Sequence, residues 1–237
     1  MTWSILARDE QGRFGVAIAS RFFAVGALCV HTRRGVGALS TQALMNPLYG
    51  PRGMDLLAQG RSAQQVVDAV TAVDAGRAQR QVHVLPARGA PAAWTGGGCI
   101  AWCGHRLGDD FSVAGNMLAG PQVVEASAEA FLATRGALAE RLLAALAAGE
   151  AAGGDKRGKQ AAALRIQADE DWPLLDIRVD DHVEPVQELQ RLYRISLERY
   201  QPFMACLAGR RDPVGVTDRA QIEAHIERFA SERGEPR

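Results

Sequence analysis

TWSILARDEQGRFGVAIASRFF, residues 2–23, is the stretch on which the fold turns. Trp3, Ile5 and Ala7 alternate with Thr2, Ser4, Leu6 and Arg8, the two-residue period of a β-strand, here read as having one accessible face. Asp9 and Gly12 supply turn chemistry and FGVAIAS resumes as a second apolar run, so the pair is predicted to form an antiparallel hairpin. Folding back near Gln11 and Gly12 brings the polar end of the second run, Ser20 and Arg21, beside Thr2.

Working outward, FAVGALCVHTRRGVGALST reads as two shorter strands around an exposed turn at 32–35, so that four strands precede any helix. After Pro51 the period changes. Met54, Leu57 and Ala58, then Ala63, Val66, Val67 and Val70, recur at helical spacing, with Ser62 as an N-cap. RQVHVLPARG and PAAWTGG predict another hairpin, and DDFSVAGNML a strand leading to a helix near Pro121. Helical spacing returns over 123–132 and 138–146, and AAALRIQA and LLDIRVDDH read as closing strands. Strands and helices thus come in runs, which favours two packed sheets flanked by helices over an alternating doubly wound sheet. From Pro185, ELQRLYRISLERYQPFMACL and DRAQIEAHIERFA read as amphipathic helices, giving a core of 1–183 and a helical tail of 184–237.

Composition removes several function classes. Lys and Arg number 27, as do Asp and Glu, so no net field draws the chain to nucleic acid or anionic lipid. No apolar run reaches a membrane-spanning length and no leader is evident, so the expectation is a cytoplasmic protein without a membrane partner. Cys29, Cys99, Cys103 and Cys206 are too unevenly spaced for a disulfide framework. Cys99, Cys103 and His105 lack the second ligand pair that structural zinc requires and are read as thiols sharing one strand face, so no metal and no cofactor are assigned. Gly96, Gly97 and Gly98 lack the lysine and helix of a phosphate loop, and there is no G-x-S-x-G elbow.

Thr2 carries the chemistry. A small residue at position 2 permits removal of Met1, after which the Thr2 hydroxyl is a nucleophile and its own α-amine, with an ordinary pKa of about 8, the base. The same residue is equally the first residue of an ordinary strand. Arg21 closes the second strand near Thr2, where an arginine is more often a surface ion-pair partner. Ser20 lies near Thr2, and Thr41, Gln42 and Asn46 offer hydroxyl and amide donors at a helix entrance, or simply cap it. Asn116 would stabilise an oxyanion, or occupy a left-handed turn. Asp155, Lys156 and Arg157, among permissive glycines, would bind an anionic substrate group or form a subunit contact, or else make a solvated loop.

The blocks TWSILARD, GVAIASRFFAVG, TQALMNPLYGPRG, GNMLAGPQVV, AAGGDKRGKQAAAL and IRVDDH, in this order over residues 2 to about 182, resemble the DUF1028 family. The resemblance implies an α+β, four-layer αββα sandwich of the N-terminal-nucleophile hydrolase type. On that likeness Thr2 would be the catalytic nucleophile, Arg21 would be a second catalytic residue that orients it or binds a substrate carboxylate, and Ser20 or Thr41 would line the site. From their own settings Asn116 joins the catalytic set, and Gln42, Asn46, Asp155, Lys156 and Arg157 join the substrate-binding one. The implied activity is cleavage of a C–N bond in a small amide, ureido or peptide-like substrate. The alternative is a noncatalytic member of the fold that binds a small metabolite or builds an assembly. Leu189, Leu192, Tyr193, Leu197 and Tyr200 make an apolar stripe on the tail that would bury against the chain's own core or a second subunit, and a homodimer or higher homo-oligomer is expected.

Overall fold

The structure, a computed structural model, describes residues 2–233. The predicted hairpin forms from β1 (Thr2–Arg8) and β2 (Phe14–Ser20), in a register that pairs Thr2 with Ser20 and Arg8 with Phe14. Gly12 takes φ +76 in the turn, and the Asp9 carboxylate accepts the Gln11 and Arg13 amides. One expectation fails at the next step: Val25–Cys29 coils into a single helical turn, α1, before β3 (Val30–Arg33) and β4 (Gly37–Ala43). Five residues are too few to display a helical period.

Helices α2 (Tyr49–Ala58) and α3 (Ala63–Ala72) follow, the second opened by a capping box between Ser62 and Gln65. The next hairpin is β5 (Arg80–Pro86) with β6 (Ala92–Thr95), and another joins β7 (Trp102–Leu107) to β8 (Phe111–Leu118). Helices α4 (Gln122–Ala133) and α5 (Leu138–Ala151) precede the closing strands β9 (Ala161–Gln167) and β10 (Leu175–Val179).

The fold is mixed α+β. Its strands make two antiparallel sheets, β10-β9-β2-β1-β8-β7 and β3-β4-β5-β6. Helices α4 and α5 cover the six-stranded sheet, and α2 and α3 cover the four-stranded one. The sheets face each other through Leu6, Phe14, Val16 and Ile18 on one side and Val30, Ala38 and Leu85 on the other. A second apolar cluster, including Leu39, Val66, Val67, Val82 and Val84, lies under α2 and α3.

Both faces of β1 are therefore buried, and the accessible face expected from its polar alternation does not exist. Trp3, Ile5 and Ala7 take one face; Thr2, Ser4 and Leu6 look toward the other sheet. Gly149 lets α5 approach β1 closely: a Cβ there would lie 2.7 Å from Trp3 Nε1 and 2.4 Å from Ser127 Oγ.

The residues up to Leu189 form one compact unit, and those from Gln190 a second. The helix predicted to run to Leu207 divides. Helix α6 (Pro185–Glu198) ends as Arg199 adopts φ −138, and α7 (Tyr200–Met204) starts afresh. Pro202 has no N–H to give to Glu198, so an unbroken helix would lose that bond and crowd its ring against the preceding turn. Helix α8 (Arg219–Glu232) is capped by the Asp218 carboxylate, which accepts the Ala220 and Gln221 amides. No helix among the described residues is long and apolar enough to cross a membrane.

Candidate active site

Thr2 opens β1 with β2 and β8 on either side, paired to Ser20 and Asn116. It lines a cavity of about 390 Å3, and the residue is 6% exposed. That volume is at the lower end for small-molecule sites, roughly 300–1000 Å3. Thr2 Oγ1 and Ser20 Oγ are 3.1 Å apart and share a hydrogen bond. Asn116 also lines the cavity, as do Leu44, Met45, Ile100 and Arg157.

Asn116 is 1% exposed and belongs to β8. The left-handed residue is its neighbour, Met117, at φ +53. The Asn116 amide donates to Gln81 Oε1 at 3.0 Å and, over a long 3.4 Å, to the Thr2 carbonyl. Its Oδ1 is buried without a hydrogen-bond partner among the described residues.

Behind Asn116 runs a buried polar chain between the sheets, on residues that periodicity alone did not single out. Gln81 Nε2 donates to the carbonyls of Gly104 and Gly115, which fixes its amide orientation and leaves Oε1 to accept from Gln42 Nε2 at 2.7 Å. Ser4 gives its single proton to Gln42 Oε1 at 2.7 Å, so its oxygen accepts from His83 Nε2 at 2.8 Å. His83 Nδ1 then accepts from Ser112 Oγ at 2.8 Å. Every link has one donor and one acceptor, and the imidazole is neutral. Burial, and after it the charge of His105, hold the His83 pKa down to about 3.

The loop 152–160 forms another wall. Asp155, whose side chain is 1% exposed, accepts the backbone amides of Arg21 and Arg157, each at 2.8 Å. It also takes the Arg157 guanidinium, at 3.2 Å and 3.4 Å. Arg21 in turn donates from its guanidinium to the Arg157 carbonyl. Asp155 and Arg21 thus hold the loop against the end of β2 and present Arg157 at the cavity, while Lys156 is exposed.

The structure therefore gathers Thr2, Ser20, Asn116 and Arg157, with Arg21 and Asp155 immediately behind and Gln42 two hydrogen bonds away. Thr41 and Asn46 stand apart. Thr41 Oγ1 donates to the Asn46 carbonyl, and the Asn46 side chain accepts from Leu48 N and donates to Asp74. Both organise the turn into α2, and neither is among the residues that line the cavity. Asp74 also accepts from Tyr49, and its bonds to Asn46 and Tyr49 hold its carboxyl far below the usual range.

Cys99 lines the cavity, but burial and then the nearby Cys103 raise its thiol pKa, so it is a poor thiolate. Cys99 precedes β7 in a loop, which corrects the expectation that Cys99 and Cys103 share a strand face. No group of three or more His, Cys, Asp or Glu side chains converges among the described residues. A second cavity, of about 370 Å3, lies at the far end of β1 among Asp9, Arg13, Arg135 and Arg141, remote from Thr2.

The likeness to known proteins extends along most of the chain. The profile of a family of unknown function, DUF1028, matches residues 2–189. Among solved structures, the chain is similar to a DUF1028 protein from Silicibacter pomeroyi, with 31% identity and a TM-score of 0.86 over 92% of this chain and 96% of that one. No curated protein matches.

Proposed function

The chain belongs to the DUF1028 family, and from that premise we propose that it is an amidohydrolase on an αββα sandwich of the N-terminal-nucleophile hydrolase type. Thr2, freed by loss of Met1, would cleave the C–N bond of a small amide, ureido or peptide-like substrate. The observation that carries the reading is the setting of Thr2. Its hydroxyl meets a cavity of ligand size, bonded to Ser20 and opposite an asparagine with an unpartnered buried oxygen. Met1 itself lies outside the described residues.

In this mechanism Thr2 Oγ1 attacks the amide carbonyl and its proton passes to the α-amine, which near pH 8 is substantially neutral. The tetrahedral oxyanion takes a hydrogen bond from Asn116 Nδ2, whose contact with the Thr2 carbonyl is long enough to be given up. Collapse breaks the C–N bond, and the ammonium returns its proton to the leaving nitrogen. Water, deprotonated by the same amine, then hydrolyses the acyl-threonine ester. Asn116 Oδ1 serves as the acceptor that orients the amine. Ser20 positions the hydroxyl, and Arg21, through Asp155 and the Arg157 carbonyl, holds the loop wall.

Kinetics test the assignment. Thr2→Ala is expected to abolish turnover of an N-acyl coumarin amide, a loss of at least about a thousandfold, with unfolding unchanged. Thr2→Ser keeps the hydroxyl and should retain measurable turnover. Unaltered activity in Thr2→Ala would sink the nucleophile assignment.

A further inference from the structure

The rest of the cavity lining differs in chemistry from Thr2 and Asn116. Three of the large apolar side chains that the protein leaves in water, Leu44 at 64%, Ile100 at 61% and Phe22 at 47% exposure, converge on the same cavity. They come from three separate segments: the ends of β4 and β2, and the loop before β7. Scattered apolar exposure is ordinary, whereas three such residues around one ligand-sized opening mark a surface meant to be covered.

Charge is almost absent. No carboxylate lines the cavity, and its cation, Arg157, already has the buried Asp155 carboxylate against it in two contacts. The wall backbone is also unusual. Four non-glycine residues among those described have left-handed φ: Ala24, Ala43, Ala101 and Met117. Ala43 and Met117 line the cavity, and Ala101 follows Ile100. Such conformations are costly for side chains with a Cβ and cluster at ligand clamps. Here they end two strands of opposite sheets at the cavity wall.

We infer that this cavity receives an uncharged apolar acyl group, of the size of hexanoyl or phenylacetyl, placing its carbonyl over Thr2. Taking about 30 Å3 for each heavy atom, the volume holds roughly a dozen atoms, enough for such an acyl group and the first atoms of the leaving amine. This inference rests on the amidohydrolase reading for its carbonyl, but the binding preference stands on the cavity walls alone.

The test has two arms, both on the full chain. In the first, acetyl, hexanoyl, phenylacetyl and glutaryl amides of 7-amino-4-methylcoumarin are compared as substrates. A buried methylene is worth roughly fourfold, so the hexanoyl and phenylacetyl amides are expected to exceed the acetyl and glutaryl ones at least about tenfold in kcat/KM. In the second, ligand-observed NMR compares hexanamide, phenylacetamide, acetamide and glutaramate binding to Thr2→Ala, and then to Thr2→Ala carrying Ile100→Asp. The apolar amides are expected to bind at least about tenfold more tightly, a margin that Ile100→Asp cuts by more than half. Equal or better binding of acetamide or glutaramate overturns the apolar assignment whatever the kinetics. Apolar selectivity in binding without cleavage of any coumarin amide leaves the ligand class standing and overturns the hydrolase reading instead.

Discussion

Asn116 Oδ1 is a buried acceptor with no partner among the described residues, a situation that costs about 1–3 kcal/mol and that folding alone does not reward. A proton donor on Thr2 would satisfy it. Because Gln81 Oε1 keeps its bond from Gln42 when Asn116 is truncated, Asn116→Ala should change stability by no more than about 1 kcal/mol. The expected loss in kcat is about 100- to 1000-fold. Activity and stability measured together separate the two roles, and an unaltered kcat would remove Asn116 from the mechanism. His83 makes a prediction of another kind. Its folded pKa, about 3, lies below its unfolded value of about 6.5, so in acid the unfolded chain takes up a proton that the folded one refuses. The stability held by neutral His83 is whole above pH 6.5 and is lost as pH falls from there toward 3, by about 1.4 kcal/mol per pH unit. Urea unfolding between pH 7.5 and 5 should show that slope flattened by the same amount in His83→Gln; identical slopes would contradict a buried neutral imidazole.

Elements set where these residues point. The β1–β2 hairpin was legible because its turn chemistry and two apolar runs agree, and with it the approach of Ser20 to Thr2. What alternation could not reveal was the environment of the polar face. Ser4, Gln42, Gln81, His83 and Ser112 each look like solvent-facing positions on their own strands, and only the meeting of two sheets turns them into one buried hydrogen-bonded chain. The recurrence of polar residues two apart at Ser40 and Gln42, and again at Gln81 and His83, was the available signal. The loop 152–160 was open to two readings, a binding segment or a solvated one, because its glycines and charges do not show that Asp155 is buried and organises it. Gly149 holds the helix layer against β1. Gly149→Ala should destabilise the protein by about 1–3 kcal/mol, seen as a lower urea midpoint with unchanged m-value, because the indole of Trp3 cannot retreat as a flexible chain would. A neutral outcome would mean that α5 shifts freely over the sheet.

At the scale of the whole molecule, the order of runs of strands and helices was enough for an α+β arrangement of two covered sheets, and the family blocks agree with the match over residues 2–189. The sequence could not show that left-handed residues and exposed apolar side chains from three segments meet over Thr2, since that requires both sheets in place. The account's central claim is that Thr2 is a terminal nucleophile. It is tested most directly by the intact mass and peptide map of the purified protein after treatment with a β-lactone. The account predicts a chain lacking Met1 with one acyl equivalent on Thr2. A chain that keeps Met1 and carries no adduct, or one acylated at Cys99 instead, would contradict it.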